Sequence, residues 1–325
     1  TTAANYRHCA RHVCRYLGKA RVDEITGDMV LRMQSMLLAD ELCPNTVARA
    51  HRFLKQALRY AVDEGIIARS PFTRHVKAPR RTQPEPNSLD RDGRERLLSW
   101  LDSVGDTEMT LAIRLGLACG LRREEMCGLR WRDVNLDLHL LRVRVAVSQC
   151  EGKAFVKGPK TPRSRRDVPL EPDLEARLAR RRKRVARECS PEARERVGDL
   201  YVLGNARGNY YYPDRLSKEF GPISKMLDLR GTTGRRIGLH DLRHTYATYL
   251  VAAGTDIKTV SSLMGHANAA MTLNTYASAD PDARASALEI IARQMAARPR
   301  RDVRRRPALS DSDDAEGEVW ELRVV

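Results

Sequence analysis

The sequence predicts a mainly helical protein with a small antiparallel β-sheet, divided into a helical front lobe and a larger mixed α+β lobe. Three observations predict this. Apolar residues recur at helical spacing over most of the 325 residues. Period-two alternation is confined to one short region around residues 141–170. A proline-containing stretch without apolar periodicity separates two segments that can each bury a core. The expected boundaries are residues 1–78 for the front lobe, 79–88 for a linker, 89–297 for the main lobe and 298–325 for a C-terminal tail.

In the front lobe, Tyr6, Val13 and Leu17 begin one apolar stripe. Ile25-Thr26-Gly27-Asp28 offers a helix cap, followed by Val30, Met33, Leu37 and Leu38. Pro44-Asn45-Thr46 starts a third helix with Val47, Phe53, Leu54, Leu58, Ala61 and Val62 as apolar positions, and Gly65 is placed to end it. Arg49, Arg52, Lys55 and Arg59 leave a cationic face on that helix. Such a face is more often a solvated surface than a binding site, so both uses stay open. The linker carries Pro79, Pro84 and Pro86 and is basic at its start.

In the main lobe, Leu97–Trp100 and Met109–Cys119 have helical patterns. Leu141, Val143, Val145 and Val147 alternate with polar or small residues, which predicts one half-buried strand. Glu151-Gly152-Lys153 is a turn, Ala154–Val156 a second strand and Arg166–Leu170 a third. Leu174–Glu188 returns to helix and is rich in Arg. The tail is basic over 298–306, acidic over 311–318 and apolar again over 319–325, a block pattern expected of a flexible segment or one that docks on a neighbouring molecule.

The formal net charge is +16. A charge this large points to a polyanion as partner, nucleic acid first, because phosphate neutralisation releases counterions. An acidic membrane surface is the alternative, but no apolar stretch approaches the ~20 residues of a membrane span. No signal-peptide pattern opens the chain, and residue 1 is Thr rather than Met, which leaves upstream sequence an open question. The seven cysteines (Cys9, Cys14, Cys43, Cys119, Cys127, Cys150, Cys189) are odd in number and scattered, without a Cys-x-x-Cys pair. That argues against a disulfide framework and against structural zinc, and makes a reducing cytoplasm the default.

Four stretches carry candidate chemistry. In Gly238-Leu239-His240-Asp241-Leu242-Arg243-His244-Thr245 the apolar series Leu242, Tyr246, Tyr249, Leu250 marks a helix. His240 and Arg243 share its first turn, where an anion is favoured. An incidental surface helix is an equal reading of that piece alone. In Leu263-Met264-Gly265-His266 the glycine can end a helix just before His266, and Tyr276 follows ten residues later. A single His or Tyr is usually structural, so the argument rests on the set. In Cys119-Gly120-Leu121-Arg122-Arg123-Glu124-Glu125, Gly120 breaks one helix and Arg122 starts the next, with Glu125 on the same face to orient it. In Lys157-Gly158-Pro159-Lys160-Thr161, a turn between strands carries Lys160 at its tip, with Lys153 and Lys157 as close competitors.

These four pieces, in this order, resemble the tyrosine recombinase (phage integrase) family. The matching residues are Gly120-Leu121-Arg122 with Glu125 and Trp131-x-Asp133, the Lys160 turn, His240-x-x-Arg243-His244-Thr245, Gly265-His266, and Tyr276. Residues 1–80 resemble the family's helical core-binding, SAM-like domain through Ile25-Thr26, Pro44-Asn45-Thr46 and the Gly65-to-Pro71 stretch. The resemblance covers residues 1 to about 290.

The resemblance implies a site-specific DNA recombinase that cleaves and rejoins DNA through a 3′-phosphotyrosine, with a fold of the tyrosine recombinase type. Tyr276 is then the nucleophile. Arg122 and Arg243 hold the non-bridging oxygens, and Lys160 is the general acid. His240 assists deprotonation or organises the phosphate, His266 donates to the phosphate, and Glu125 supports Arg122. No metal or other cofactor is implied. Arg49, Arg52, Lys55 and Arg165 are candidate DNA contacts. The implied partners are double-stranded DNA with a specific site, further copies forming a homotetramer on paired sites, and accessory DNA-bending or directionality factors. A type IB topoisomerase, a non-catalytic DNA-binding regulator on the same fold and a metal-dependent nuclease are rivals. The helical front lobe, the intact cationic set and the lack of clustered acids, respectively, weigh against them. Arg122, His240, Arg243, His266 and Lys160 are expected to converge on one anion-sized pocket reachable by Tyr276.

Overall fold

The computed structural model describes residues 2–82, 85–158, 165–190, 194–205, 207–266, 270, 272 and 273. Lys160 with most of its turn, Tyr276 and the 298–325 tail lie outside the described residues. Chain contacts separate Thr1–Asp280 from Pro281–Val325, and all described residues belong to the first unit.

The front lobe is built from α1 (Thr2–Leu17), α2 (Gly27–Ala39) and α3 (Pro44–Asp63). Cys9, Val13 and Leu17 repeat every four residues and form the buried stripe of α1. Thr26 caps α2, its hydroxyl accepting from the Met29 amide at 3.3 Å. Pro44 opens α3, where its missing N–H costs nothing. Gly65 follows the helix with φ +70°, a left-handed value that suits glycine. Val30, Met33, Leu37, Val47, Leu54 and Leu58 form the centre of this core. Tyr6 and Leu38, read as apolar-stripe residues, are instead exposed.

The main lobe has its own core around Leu97, Leu111, Leu115, Trp131, Phe220 and Leu242. It begins with α4 (Arg91–Val104), α5 (Glu108–Cys119) and α6 (Arg123–Gly128). Next come β1 (Val134–Asn135), β2 (Leu140–Val143), β3 (Ala146–Cys150), β4 (Lys153–Lys157) and β5 (Arg166–Pro169). Helices α7 (Pro172–Glu188), α8 (Pro213–Met226), α9 (Asp241–Ala252) and α10 (Ile257–Met264) complete it.

The single strand expected over 141–147 is two strands in two sheets. Antiparallel β2 lies between β1 and β5, with Leu141 opposite Val168, whereas β3 pairs with β4 as a hairpin. The chain changes sheet at Arg144–Val145. There the end of α6 presses on the backbone: a Cβ on Gly128 would lie 2.7 Å from the Ala146 Cα. Alternation continues through this break because Val143 and Val147 both face inward, each toward a different partner.

The end of the linker is also held more firmly than its prolines suggest. Asn87 and Ser88 are buried. The Asn87 amide donates to the Arg235 carbonyl at 3.1 Å and its Oδ1 accepts from the Thr233 hydroxyl at 2.7 Å. The entry to α4 is thereby pinned to the loop that leads into α9.

Candidate active site

Helix α10 is the scaffold of the site. Asp256 caps its start, accepting from the Thr259 amide at 2.9 Å, and Gly265 ends it in the left-handed conformation (φ +59°). Carbonyls at a helix C-terminus lack intrahelical partners and carry partial negative charge. Three consecutive ones here each take a guanidinium. The Leu263 carbonyl accepts from Arg166 Nε at 2.6 Å, the Met264 carbonyl from Arg243 Nη2, and the Gly265 carbonyl from Arg122 Nη2 at 3.2 Å. His266 is the next residue.

Arg122 stands at the N-cap of α6, after Gly120 has ended α5 in the left-handed region (φ +58°). A side chain on Gly120 would meet the Tyr246 ring at 2.4 Å, so the close approach of α9 also requires glycine there. The Gly120 carbonyl accepts from Arg243 Nη1 at 2.5 Å. Arg243, in the first turn of α9, is 2% exposed, whereas the Arg122 side chain retains 31%.

Glu125 joins the arginines. Its Oε1 accepts from Arg122 Nη1 at 2.9 Å and Arg166 Nη1 at 3.0 Å; its Oε2 accepts from the Arg122 amide at 2.9 Å and Arg166 Nη2 at 2.7 Å. Burial alone would raise this carboxyl. The hydrogen bonds and charge of Arg166, then the charges of Arg122 and Arg243, more than reverse that and hold it at about 2.

The surroundings of the imidazoles disfavour their protonation. Burial, then the charges of Arg243, Arg122 and Arg166, press His266 down to about 4. Its Nδ1 is engaged by the hydroxyl of buried Thr272 at 2.7 Å. His240, at the N-cap of α9, is lowered by burial and by Arg243. His244 touches the His240 ring edge-on at 5.1 Å and is lowered to about 4 by burial first and His240 next.

Arg122, Glu125, His240, Arg243 and His266 are thus gathered around the end of α10. Arg166 was read simply as a strand residue, and it is a full member of the cluster. The signal for it is present in the alternation of β5: Arg166 takes an inward position with Val168, and an inward charge needs a partner. Arg165 is exposed beside it. Arg52 and Lys55 line a front-lobe cavity of about 430 Å³ with His51, Arg74 and Lys77. Arg49 and Arg52 border a second cavity, of about 260 Å³, beside Tyr6 and His8.

The sequence model of the phage integrase family matches residues 87–282, and that of the phage integrase SAM-like domain matches residues 1–78. The chain belongs to the phage integrase family. Among its relatives, the tyrosine recombinase XerC of Chlorobaculum tepidum is 30% identical over 267 residues, covering 75% of this chain and 72% of that protein. A tyrosine recombinase XerC-like protein of Caldanaerobacter subterraneus subsp. tengcongensis is 27% identical over 285 residues, covering 83% and 72%. The fold is that of the Tn1549 transposon integrase solved with transposon right end DNA, with TM-score 0.70, 23% identity, and coverage of 90% of this chain and 93% of the other. The chain is therefore a tyrosine recombinase, an enzyme that breaks and rejoins DNA at specific sites. No helix among the described residues is long and apolar enough to cross a membrane.

Proposed function

We propose that the cluster at the end of α10 binds one DNA phosphodiester and that Tyr276 attacks it. The phenol oxygen bonds to phosphorus, the bond to the 5′ oxygen breaks, and a 3′-phosphotyrosine remains. A free phenol has a pKa near ~10, so the reaction needs a cationic surround and a base. His240 takes the phenolic proton or organises the phosphate, and Lys160 protonates the departing 5′ oxygen. Rejoining reverses these transfers. The bond energy is retained in the covalent intermediate, so no ATP is required.

Phosphoryl transfer asks chiefly for alignment and charge stabilisation. Arg122, the arginine with solvent access, meets a non-bridging oxygen directly. Arg243, locked between the Gly120 and Met264 carbonyls, supplies fixed positive charge at the second. With Nδ1 of His266 engaged by Thr272, its Nε2 is the ring nitrogen that can donate to the phosphate. The single observation that carries this reading is the gathering of two predicted arginines and two predicted histidines, distant in sequence, around three adjacent carbonyls.

Double-stranded DNA with a specific site is the partner, held between the two lobes, and Arg49, Arg52, Lys55 and Arg165 contact its backbone. Strand exchange is carried out by a homotetramer on paired sites, aided by DNA-bending or directionality factors, in the cytoplasm at the nucleoid. The 298–325 tail links neighbouring protomers. The test is covalent capture on a nicked duplex whose site has been selected from a randomised pool by the unaltered chain. Tyr276→Phe retains binding to that duplex and forms no adduct; an adduct from that variant would overturn the assignment.

A further inference from the structure

We propose that Arg166 is a positioning residue for DNA cleavage, which acts through Glu125 and the last turn of α10 to hold Arg122 in place. This rests on the reading of Arg122 as the phosphate ligand. The Arg166 side chain is 4% exposed, so it does not reach DNA itself. Three of its donors are spent inside the fold: Nε on the Leu263 carbonyl at 2.6 Å, Nη1 and Nη2 on the two Glu125 oxygens at 3.0 and 2.7 Å. Each Glu125 oxygen accepts once from Arg166 and once from Arg122, from its guanidinium at Oε1 and its amide at Oε2.

A carboxylate held at both oxygens by one planar guanidinium has a fixed plane. The terminal torsion of a glutamate is otherwise broad, so Arg122 would lose a defined partner without Arg166. The Leu263 bond does a second task. It ties β5 to the turn whose next two carbonyls hold Arg243 and Arg122 and whose following residue is His266. One guanidinium thus connects a strand to Glu125 and to the turn that holds Arg122, Arg243 and His266. Gly265 makes room for it: a Cβ there would lie 3.0 Å from Arg166 Nη1 and 3.1 Å from its Cδ.

Stability alone does not call for this arrangement. The neighbouring inward position of β5 is a fully buried valine, and buried ion pairs are often no more stabilising than apolar packing. Lysine, a point charge on a flexible stem, cannot span the carboxylate edge and the carbonyl together.

The test uses the full chain and the selected nicked duplex, with Arg166→Met, Arg166→Lys, Glu125→Gln and the Arg166→Met/Glu125→Gln pair. Single-turnover adduct formation at saturating DNA, DNA affinity and Tm are read for each. Misplacement of a binding group by about 1 Å costs on the order of 10²-fold in rate, so both Arg166 variants cleave roughly 30- to 100-fold more slowly, with affinity changed less than about threefold. In the pair, the two losses combine to well under their product, because both act on Arg122 through the same carboxylate and only the Leu263 tie of Arg166 adds to the Glu125→Gln loss. A merely structural role would lower affinity and Tm together and multiply in the pair, and that result overturns the proposal. Should Arg166→Met fail to fold, Arg166→Lys decides: slowed cleavage with intact binding supports the proposal, and wild-type cleavage overturns it. If Arg166→Lys cleaves normally while Arg122→Ala is inactive, the positioning role alone falls. If Tyr276→Phe still forms an adduct, the underlying reading falls instead.

Discussion

Along α7, Arg177, Arg180 and Arg181, together with Arg114 of α5, face Asp102, Asp106, Glu108 and Asp173. At the end of α10, Arg122, Arg166 and Arg243 face Glu125, with backbone carbonyls filling the remaining places. The two clusters are built from the same residue types and differ in charge ratio. In the first, each arginine is matched by a carboxylate, and Asp102 and Asp173 retain more than half of their exposure, so the field is balanced and partly screened by water. In the second, Arg122 and Arg166 share the single carboxylate of Glu125, and carbonyl dipoles hold all three guanidiniums without cancelling their charge. In the proposed function, that surplus is what an incoming phosphate meets. Arginine abundance therefore does not separate the two clusters; the number of arginines sharing one carboxylate does.

The sharpest way to break this comparison is Arg122→Ala. Removing a donor to a transition-state anion lowers cleavage by about 10²- to 10³-fold. Adduct yield against time on the nicked duplex measures it, and a loss under tenfold would place the phosphate elsewhere.

Next in size is Glu125→Gln. The folded carboxyl is held at about 2, below its ordinary value of 4.5, so its contribution is complete above the ordinary value and is lost as pH falls toward 2. The contribution is on the order of 3 kcal/mol. Denaturant unfolding between pH 5 and pH 2, buffered in steps, should therefore show a flatter loss of stability in the glutamine variant than in the parent.

Asp106→Asn probes the balanced cluster. Asp106 accepts from Arg177 at 2.9 Å and Arg180 at 3.1 Å, within a network whose other acids are partly solvated. Its loss costs about 1 kcal/mol and leaves cleavage unchanged. A cleavage defect at constant stability would erase the distinction between the two clusters.

The smallest effect belongs to the front lobe. Arg52→Ala removes one exposed cation and should reduce the slope of log affinity against log salt by roughly one, without altering site preference. Fluorescence anisotropy on selected and scrambled duplexes measures both.

Much of this architecture was legible because its causes are local. Thr26, which the sequence offers as a cap, closes its helix within three residues, and Asp90, Thr107 and Asp256, not singled out in the sequence, do the same. Gly120 and Gly265 end α5 and α10 as their spacing suggests, and the contact of Arg122 with Glu125 is one turn long. The break between β2 and β3 was hidden, because the inward alternation is the same whether one sheet or two receives it. Arg166 was hidden for a related reason. Its inward position can be read from β5, but the identity of its partner, 41 residues earlier, cannot.

The sequence by itself determined the helical stripes of the two cores, the cap at Thr26, the helix stops at Gly120 and Gly265, and the pairing of Arg122 with Glu125 one turn away. Each of these follows from the period of burial or from hydrogen bonds closed within a turn. The tertiary structure decided the rest: that Arg243 reaches Gly120 across 123 positions, that Arg122 reaches Gly265 across 143, and that three guanidiniums share one helix end. Those pairings depend on how α9, α10 and β5 pack, and packing is set by the whole core rather than by any stretch of chain short enough to carry its own signal.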